Sequence, residues 1–170
     1  MEIKAYVTNL GLYNAGYLVG EWVTFPIDED EMQELMERIK IDEFHEEMFI
    51  TDYETDLDIK ISEYTSISEL NRIAETFDAL TDSDAEIVEA LMNDGYTLEQ
   101  AIDKKDDCVI YYDCDSMADV AERDLDDSGV LDSLPKELRD YFDFEALGRD
   151  MEINGTYYFT SNGNCVEVCY

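Results

Sequence analysis

The chain has 170 residues, 44 acidic against 11 basic, and a formal net charge of −33. With 45% hydrophobic and 12% aromatic residues it can bury a real core, which excludes a disordered acidic tail. A charge of this size also excludes nucleic acid and anionic membrane as natural partners and points to basic proteins or cations.

The charge is spread along the chain. Residues 1–61 carry 16 acids and 4 bases, residues 62–103 carry 11 and 1, and residues 104–170 carry 17 and 6. Duplex DNA has one charge per ~1.7 Å of axis, so this net charge corresponds to roughly 56 Å of duplex.

Residues 2–8 (EIKAYVT) alternate and predict a strand. Residues 9–16 (NLGLYNAG) read as a loop, and residues 17–25 as a second strand ended by Pro26. Asp28 and Glu31 form a capping-box pair opening a helix over 29–40, with Met32, Leu35, Met36 and Ile39 on its apolar face. Residues 46–52 (EEMFITD) predict a third strand.

Three box-like starts follow: Ser66 with Glu69, Ser83 with Glu86, and Thr97 with Gln100. Leu70, Ile73, Ala74 and Phe77 trail the first at helical spacing, and Ile87, Ala90 and Leu91 the second. Gly95 is placed to end the second helix. The middle therefore predicts a small helical bundle.

Beyond it, residues 108–112 (CVIYY) predict a strand, and residues 115–127 a helix with Met117, Val120, Ala121 and Leu125 inward. Pro135 suits the first turn of another helix carrying Leu138, Tyr141 and Phe142 on one face. Asn162-Gly163 joins strands 157–160 and 165–170 as a hairpin. The expected fold class is α+β, with boundaries at 61 and 103: 1–61 an α+β domain, 62–103 helical, 104–170 α+β.

Cys108, Cys114, Cys165 and Cys169 lie in the last third, without paired zinc spacing. No secretory or membrane-spanning run is read, so free, mostly strand-buried thiols in a reducing cytoplasm are expected. The single histidine, His45, has no Cys or Ser constellation around it, and no glycine-rich phosphate loop is present. The expectation is no catalysis, no cofactor and no metal. A calcium role is the nearest alternative: Asp124, Asp126, Ser128, Gly129 and Asp132 follow an EF-hand loop, but its closing Glu is replaced by Pro135.

Acidic residues recur at i,i+4: Asp78 with Asp82, Asp82 with Glu86, Asp115 with Asp119, and Glu122 with Asp126. Where helical, each pair costs about 0.2–0.5 kcal/mol. An ordinary solvated acidic face or a halophile surface would show this pattern. So would an anionic lattice copying the DNA backbone, or an acidic module for basic proteins generally. The candidate surface comprises Glu31, Glu34, Glu37, Asp78, Asp82, Glu86, Glu89, Asp115, Asp119, Glu122 and Asp126.

Residues 3–16 (IKAYVTNLGLYNAG), 20–26 (GEWVTFP), 52–54 (DYE), 61–71 (ISEYTSISELN) and above all 141–150 (YFDFEALGRD) resemble the ArdA antirestriction family, DNA mimics carried by conjugative plasmids and transposons. The resemblance runs nearly full length. It implies three small domains in an elongated, curved chain that forms a homodimer through the C-terminal domain. It implies a partner, the methyltransferase core of type I restriction-modification enzymes, whose DNA groove the protein would fill. It places the antirestriction motif at about 130–144 and the dimer interface at Val130, Leu131, Leu134, Leu138, Tyr141 and Phe142.

Overall fold

Alternating apolar residues and short turns build two small antiparallel sheets, each with its own helices. The computed structural model describes residues 2–139 and 141–169. Its contacts gather the chain into two compact units, Met1–Thr81 and Asp82–Tyr170.

In the first unit, β1 (Ile3–Asn9) lies between β2 (Gly20–Phe25) and β3 (Met48–Thr55). The register pairs Ala5 with Val23 and Val7 with Ile50, and these four are buried on one face with Ile3 and Phe25. A bulge between Tyr6 and Val7 shifts the pairing with β3. Past it Thr8 and Asn9 are buried as well. Asn9 earns its place by capping: its side chain accepts from Leu12 N–H and donates to the carbonyls of Ile39 and Lys40. It thereby starts α1 (Leu10–Asn14), a short helix where a loop was expected, and ties down the end of α2 (Glu29–Arg38).

The predicted capping box on α2 forms in both directions, and Leu35 and Ile39 reach the core. Ser66 caps α3 (Ile67–Ala79), which buries Leu70, Ile73, Ala74 and Phe77 as its spacing predicts. Glu69 does not complete the box; it pairs with Arg72 instead. Asn71 on α3 holds Ile27 by two bonds, accepting from its N–H and donating to its carbonyl, both at 2.8 Å.

In the second unit, α4 (Asp82–Asn93) and α5 (Leu98–Lys104) are joined through Gly95, whose φ of 101° ends α4. The Thr97 and Gln100 box forms fully. The helical stretch 62–103 is thus divided between the two units, with the cut between α3 and α4. A 3-10 turn leads into β4 (Cys108–Tyr111), followed by α6 (Met117–Asp127), α7 (Val130–Ser133), α8 (Lys136–Arg139), α9 (Phe144–Asn154), β5 (Thr156–Phe159) and β6 (Cys165–Val168).

The hairpin forms at the expected turn, and β6 is the central strand of the order β4-β6-β5. The predicted strand extends to Tyr170, which lies outside the described residues. On one face Tyr111, Cys165 and Tyr157 pack with Cys114 and Val120, joined by Met117 and Met151. Val166 and Val168 are buried on the other. Both α4 and α6 therefore rest on this small sheet's surroundings, α4 through contacts to β4 and β5.

The helices after α6 also differ from expectation. The helix begun at Pro135 is only the four residues of α8, and Tyr141 and Phe142 lie beyond it. Instead Asp143 caps α9, its side chain accepting from Ala146 N–H. At Gly148, α9 meets α6 so closely that a Cβ there would stand 2.6 Å from the carbonyl carbon of Met117.

Candidate functional site

The most regular acidic feature is the outer face of α6. Ser116 caps the helix, its hydroxyl accepting from Asp119 N–H and donating to the Asp119 carboxylate at 2.6 Å. Val120 and Ala121 point into the core, which turns Asp119, Glu122 and Asp126 to solvent. At 1.5 Å rise per residue the three span about 10 Å, a length over which one DNA strand carries about three phosphates. Asp115 is exposed just before the cap. Asp113, Asp119, Glu122 and Asp126 line a concavity of about 680 Å³, together with Arg123 and Arg139. Both cations have other bonds: Arg139 to Asp132 at 3.0 Å, Arg123 to the Tyr112 carbonyl.

On α2, Glu31, Glu34 and Glu37 are all exposed. Two have structural duties too. Glu31 closes the capping box, and Glu34 shares Arg38 with Glu21 at 3.2 and 2.8 Å. Asp78 and Asp82 are exposed but do not form a helical i,i+4 pair: α3 ends at Ala79, and Leu80 is extended.

Glu86 overturns its expectation. It is 9% exposed and belongs to the interior of the second unit. Its carboxylate accepts from Asn164 Nδ2 at 2.9 and 3.0 Å and from the Thr160 hydroxyl. Asn164, itself 9% exposed, accepts in turn from Asp113 N–H at 2.9 Å. Glu86 thus ties α4 to the β5–β6 turn. It does not complete the box with Ser83, whose hydroxyl meets that of Tyr112 at 2.6 Å. Glu89, three residues on, is half-buried. The helix that carries Ala85, Ile87, Val88, Ala90 and Leu91 inward is buried on most of its circumference, so acidic spacing on it does not mark a solvent stripe.

A second carboxylate is used in the same way. Glu167 of β6 accepts from Tyr111 at 2.8 Å and Tyr157 at 2.7 Å. Burial, then the Glu167 carboxylate, pushes both phenols well above the usual tyrosine range. Nothing in the sequence marked this triad beyond the alternation of β4 and β6.

The apolar run expected at an interface is mixed. Val130, Leu138, Tyr141 and Phe142 are exposed, Tyr141 by 85%, with Phe142 against Phe144 at a ring separation of 4.9 Å. Leu134 is half-buried, and Leu131 is packed inside its own chain. Asp140, within the expected motif 130–144, lies outside the described residues. The run that resembled a calcium loop is not a loop: Asp124 and Asp126 sit on the last turns of α6, and Asp132 on α7 holds Arg139. No group of three or more candidate metal ligands lies together among the described residues.

His45 lies 2.9 Å from Asp42, whose carboxyl is held below its usual range first by the Phe44 N–H and then by His45. Of the cysteines, all free, Cys114 and Cys165 are buried, Cys108 is half-buried and Cys169 exposed. Cys114 follows β4 rather than lying in it, and Cys169 falls just past β6, so burial in strands describes Cys165 alone. Burial pushes the Cys165 thiol up to about 12. No described helix is long and apolar enough to cross a membrane.

Comparison with curated proteins gave no match. A family model described as "Antirestriction protein (ArdA)" matches residues 5–166, which takes in every helix described above and all but the outer ends of β1 and β6 in the two sheets. The chain belongs to the ArdA antirestriction protein family.

Proposed function

We propose that the protein is a DNA mimic that fills the DNA groove of type I restriction-modification enzymes, at their methyltransferase core, inside the cell. The observation that carries this reading is the α6 stripe, whose three exposed carboxylates match the charge density of a DNA strand over the same length. Glu31, Glu34, Glu37, Asp78, Asp82, Glu89 and Asp115 extend the proposed surface; Glu86 is left out of it. The mimic's charges are held by folded elements, so the enzyme is spared the several kcal/mol that bending real DNA can cost. No chemistry on a substrate is part of this reading.

Exposed Val130, Leu138, Tyr141 and Phe142, with half-buried Leu134, are the proposed homodimer contact, extending the charged surface to a two-fold partner; Leu131, packed inside its own chain, is left out of it. Three small domains, bounded at 61 and 103, are part of the same proposal. DNA competition for a purified type I methyltransferase, run as a salt series, tests the mechanism. Displacement at low salt that weakens as salt rises is expected; DNA left bound by an equimolar amount of protein at low salt refutes it. Sedimentation of Leu138→Asp tests the contact: a monomer is expected, and an unchanged dimer places the interface elsewhere.

A further inference from the structure

The first unit contains a cleft of about 650 Å³ that the charge reading does not use. Its walls are Val7, Ile27, Met32, Met48, Ile50 and Ile67, and its mouth carries Tyr64, 83% exposed. A volume of this size suits a ligand or an inserted side chain. The site is anchored, because Asn71 clamps Ile27 from α3 by two hydrogen bonds. The two methionines give it walls that adjust to an occupant's shape.

The rim decides what the occupant is. Asp28 and Glu29 line it, so an anion is disfavoured. The first turns of α2 and α3 also open onto it, but each is occupied by its own cap, Asp28 accepting from Glu31 N–H and Ser66 from Glu69 N–H. What remains is an apolar floor under an acidic lip. Its complement is a large apolar side chain flanked by Lys or Arg on the surface of a basic protein.

We infer that this cleft takes such an apolar anchor from the basic groove of the restriction enzyme, an inference that rests on the mimic reading above. DNA offers that groove phosphates and no comparable apolar socket. The contact therefore adds affinity that salt does not screen, and a mimic so equipped outcompetes DNA by more than charge.

The test is the same DNA competition, with Gln33→Trp and Tyr64→Ala as variants. Gln33 is exposed on α2 and lines the cleft, so a tryptophan there fills it while leaving the net charge unchanged. Tyr64 is too exposed to hold the fold. Each variant should need about tenfold more protein for half-displacement, as expected for the loss of a buried anchor. The shift should be equal at every salt concentration, giving a line parallel to wild type. Variants that unfold at the wild-type urea midpoint and displace DNA as well as wild type overturn the cleft inference and leave the mimic reading standing. Wild type that fails to displace DNA at low salt overturns both. Nile red held in the wild-type cleft and not released on adding the methyltransferase also overturns the inference, marking the cleft as a small-molecule site.

Discussion

Replacing Glu86 should damage the fold and spare the binding charge. Its carboxylate receives three hydrogen bonds from two partners, and Asn164, one of them, is as buried as Glu86 itself. A hydrogen bond to a charged group contributes about 1.5–3 kcal/mol, and a buried donor left unpaired costs about 1–3 kcal/mol. These terms overlap, since the same bonds are counted from both ends. Glu86→Ala should therefore destabilise the second unit by about 3 kcal/mol, a large share of the ~5–15 kcal/mol that holds a domain. Glu86→Gln keeps one acceptor but sets an amide donor against one of two donors, so about 1 kcal/mol is expected. Urea unfolding measures both as midpoint shifts at unchanged slope. Glu122→Gln, exposed on α6, is the contrast: near-neutral in urea, but with a shallower salt dependence in DNA competition. Glu86→Ala within about 0.5 kcal/mol of wild type would refute the buried network, because that is the range of surface substitutions. So would Glu86→Gln changing the salt dependence as Glu122→Gln does.

Gly148→Ala should cost about 1–3 kcal/mol in urea unfolding despite alanine's better helix propensity. The new Cβ meets the Met117 carbonyl and Ala118 nitrogen, which are backbone and do not yield. Asn71→Ala should cost about 2 kcal/mol, because it leaves the Ile27 N–H and carbonyl without their partners. The phenols of Tyr111 and Tyr157 titrate higher in the fold than in the unfolded chain, where the value is about 10. The unfolded state then releases protons that the native state keeps, so stability should fall as pH rises through 10, and in Tyr111→Phe with Tyr157→Phe that fall should flatten. Salt should raise the thermal midpoint by screening self-repulsion while weakening DNA displacement, two opposite responses measurable on one preparation.

The elements legible in the sequence are those whose signal is local. Asp28 with Glu31 and Thr97 with Gln100 sit three apart and form their boxes; Asn162-Gly163 turns where such a pair turns. The periodicity of α3 named its four buried residues. Misreadings came where a local signal had a distant competitor. Ser83 and Glu86 have capping spacing, but Glu86 finds Asn164, 78 residues away, and no property of the α4 sequence announces that partner. The α9 helix was legible in part, through Asp143 and the spacing of Phe144, Leu147 and Met151. Pro135 drew attention to an earlier start, and nothing local marks Gly148 as the point of contact with α6. The cleft in the first unit had no signature, because its walls come from β1, β3 and the starts of two helices.

The candidate surface was legible as a composition but not as a set of residues, and the reason bears on how the charge should be counted. Acidic residues at helical spacing look alike in sequence whether they face solvent or a buried amide. The fold sorts them by what stands opposite. Glu86 and Glu167 are taken up by Asn164, Thr160 and two tyrosines; Asp28 and Asp143 cap helices, and Asp119 accepts from the Ser116 hydroxyl that caps α6; Glu21, Glu34 and Asp132 hold arginines. A carboxylate with a structural bond on the surface still faces solvent and can do both jobs, as Asp119, bonded to the Ser116 hydroxyl, does on the α6 stripe. A buried one cannot, because a groove lysine would have to follow it into the interior. The quantity relevant to a basic groove is therefore the number of carboxylates held outward by a rigid element, not the net charge of −33. On that count α6 stands ahead of α4, although their acidic spacings made them equal candidates: α6 sends a narrow apolar strip inward and keeps its acids out, whereas α4 is buried on most sides and spends its middle glutamate on the fold.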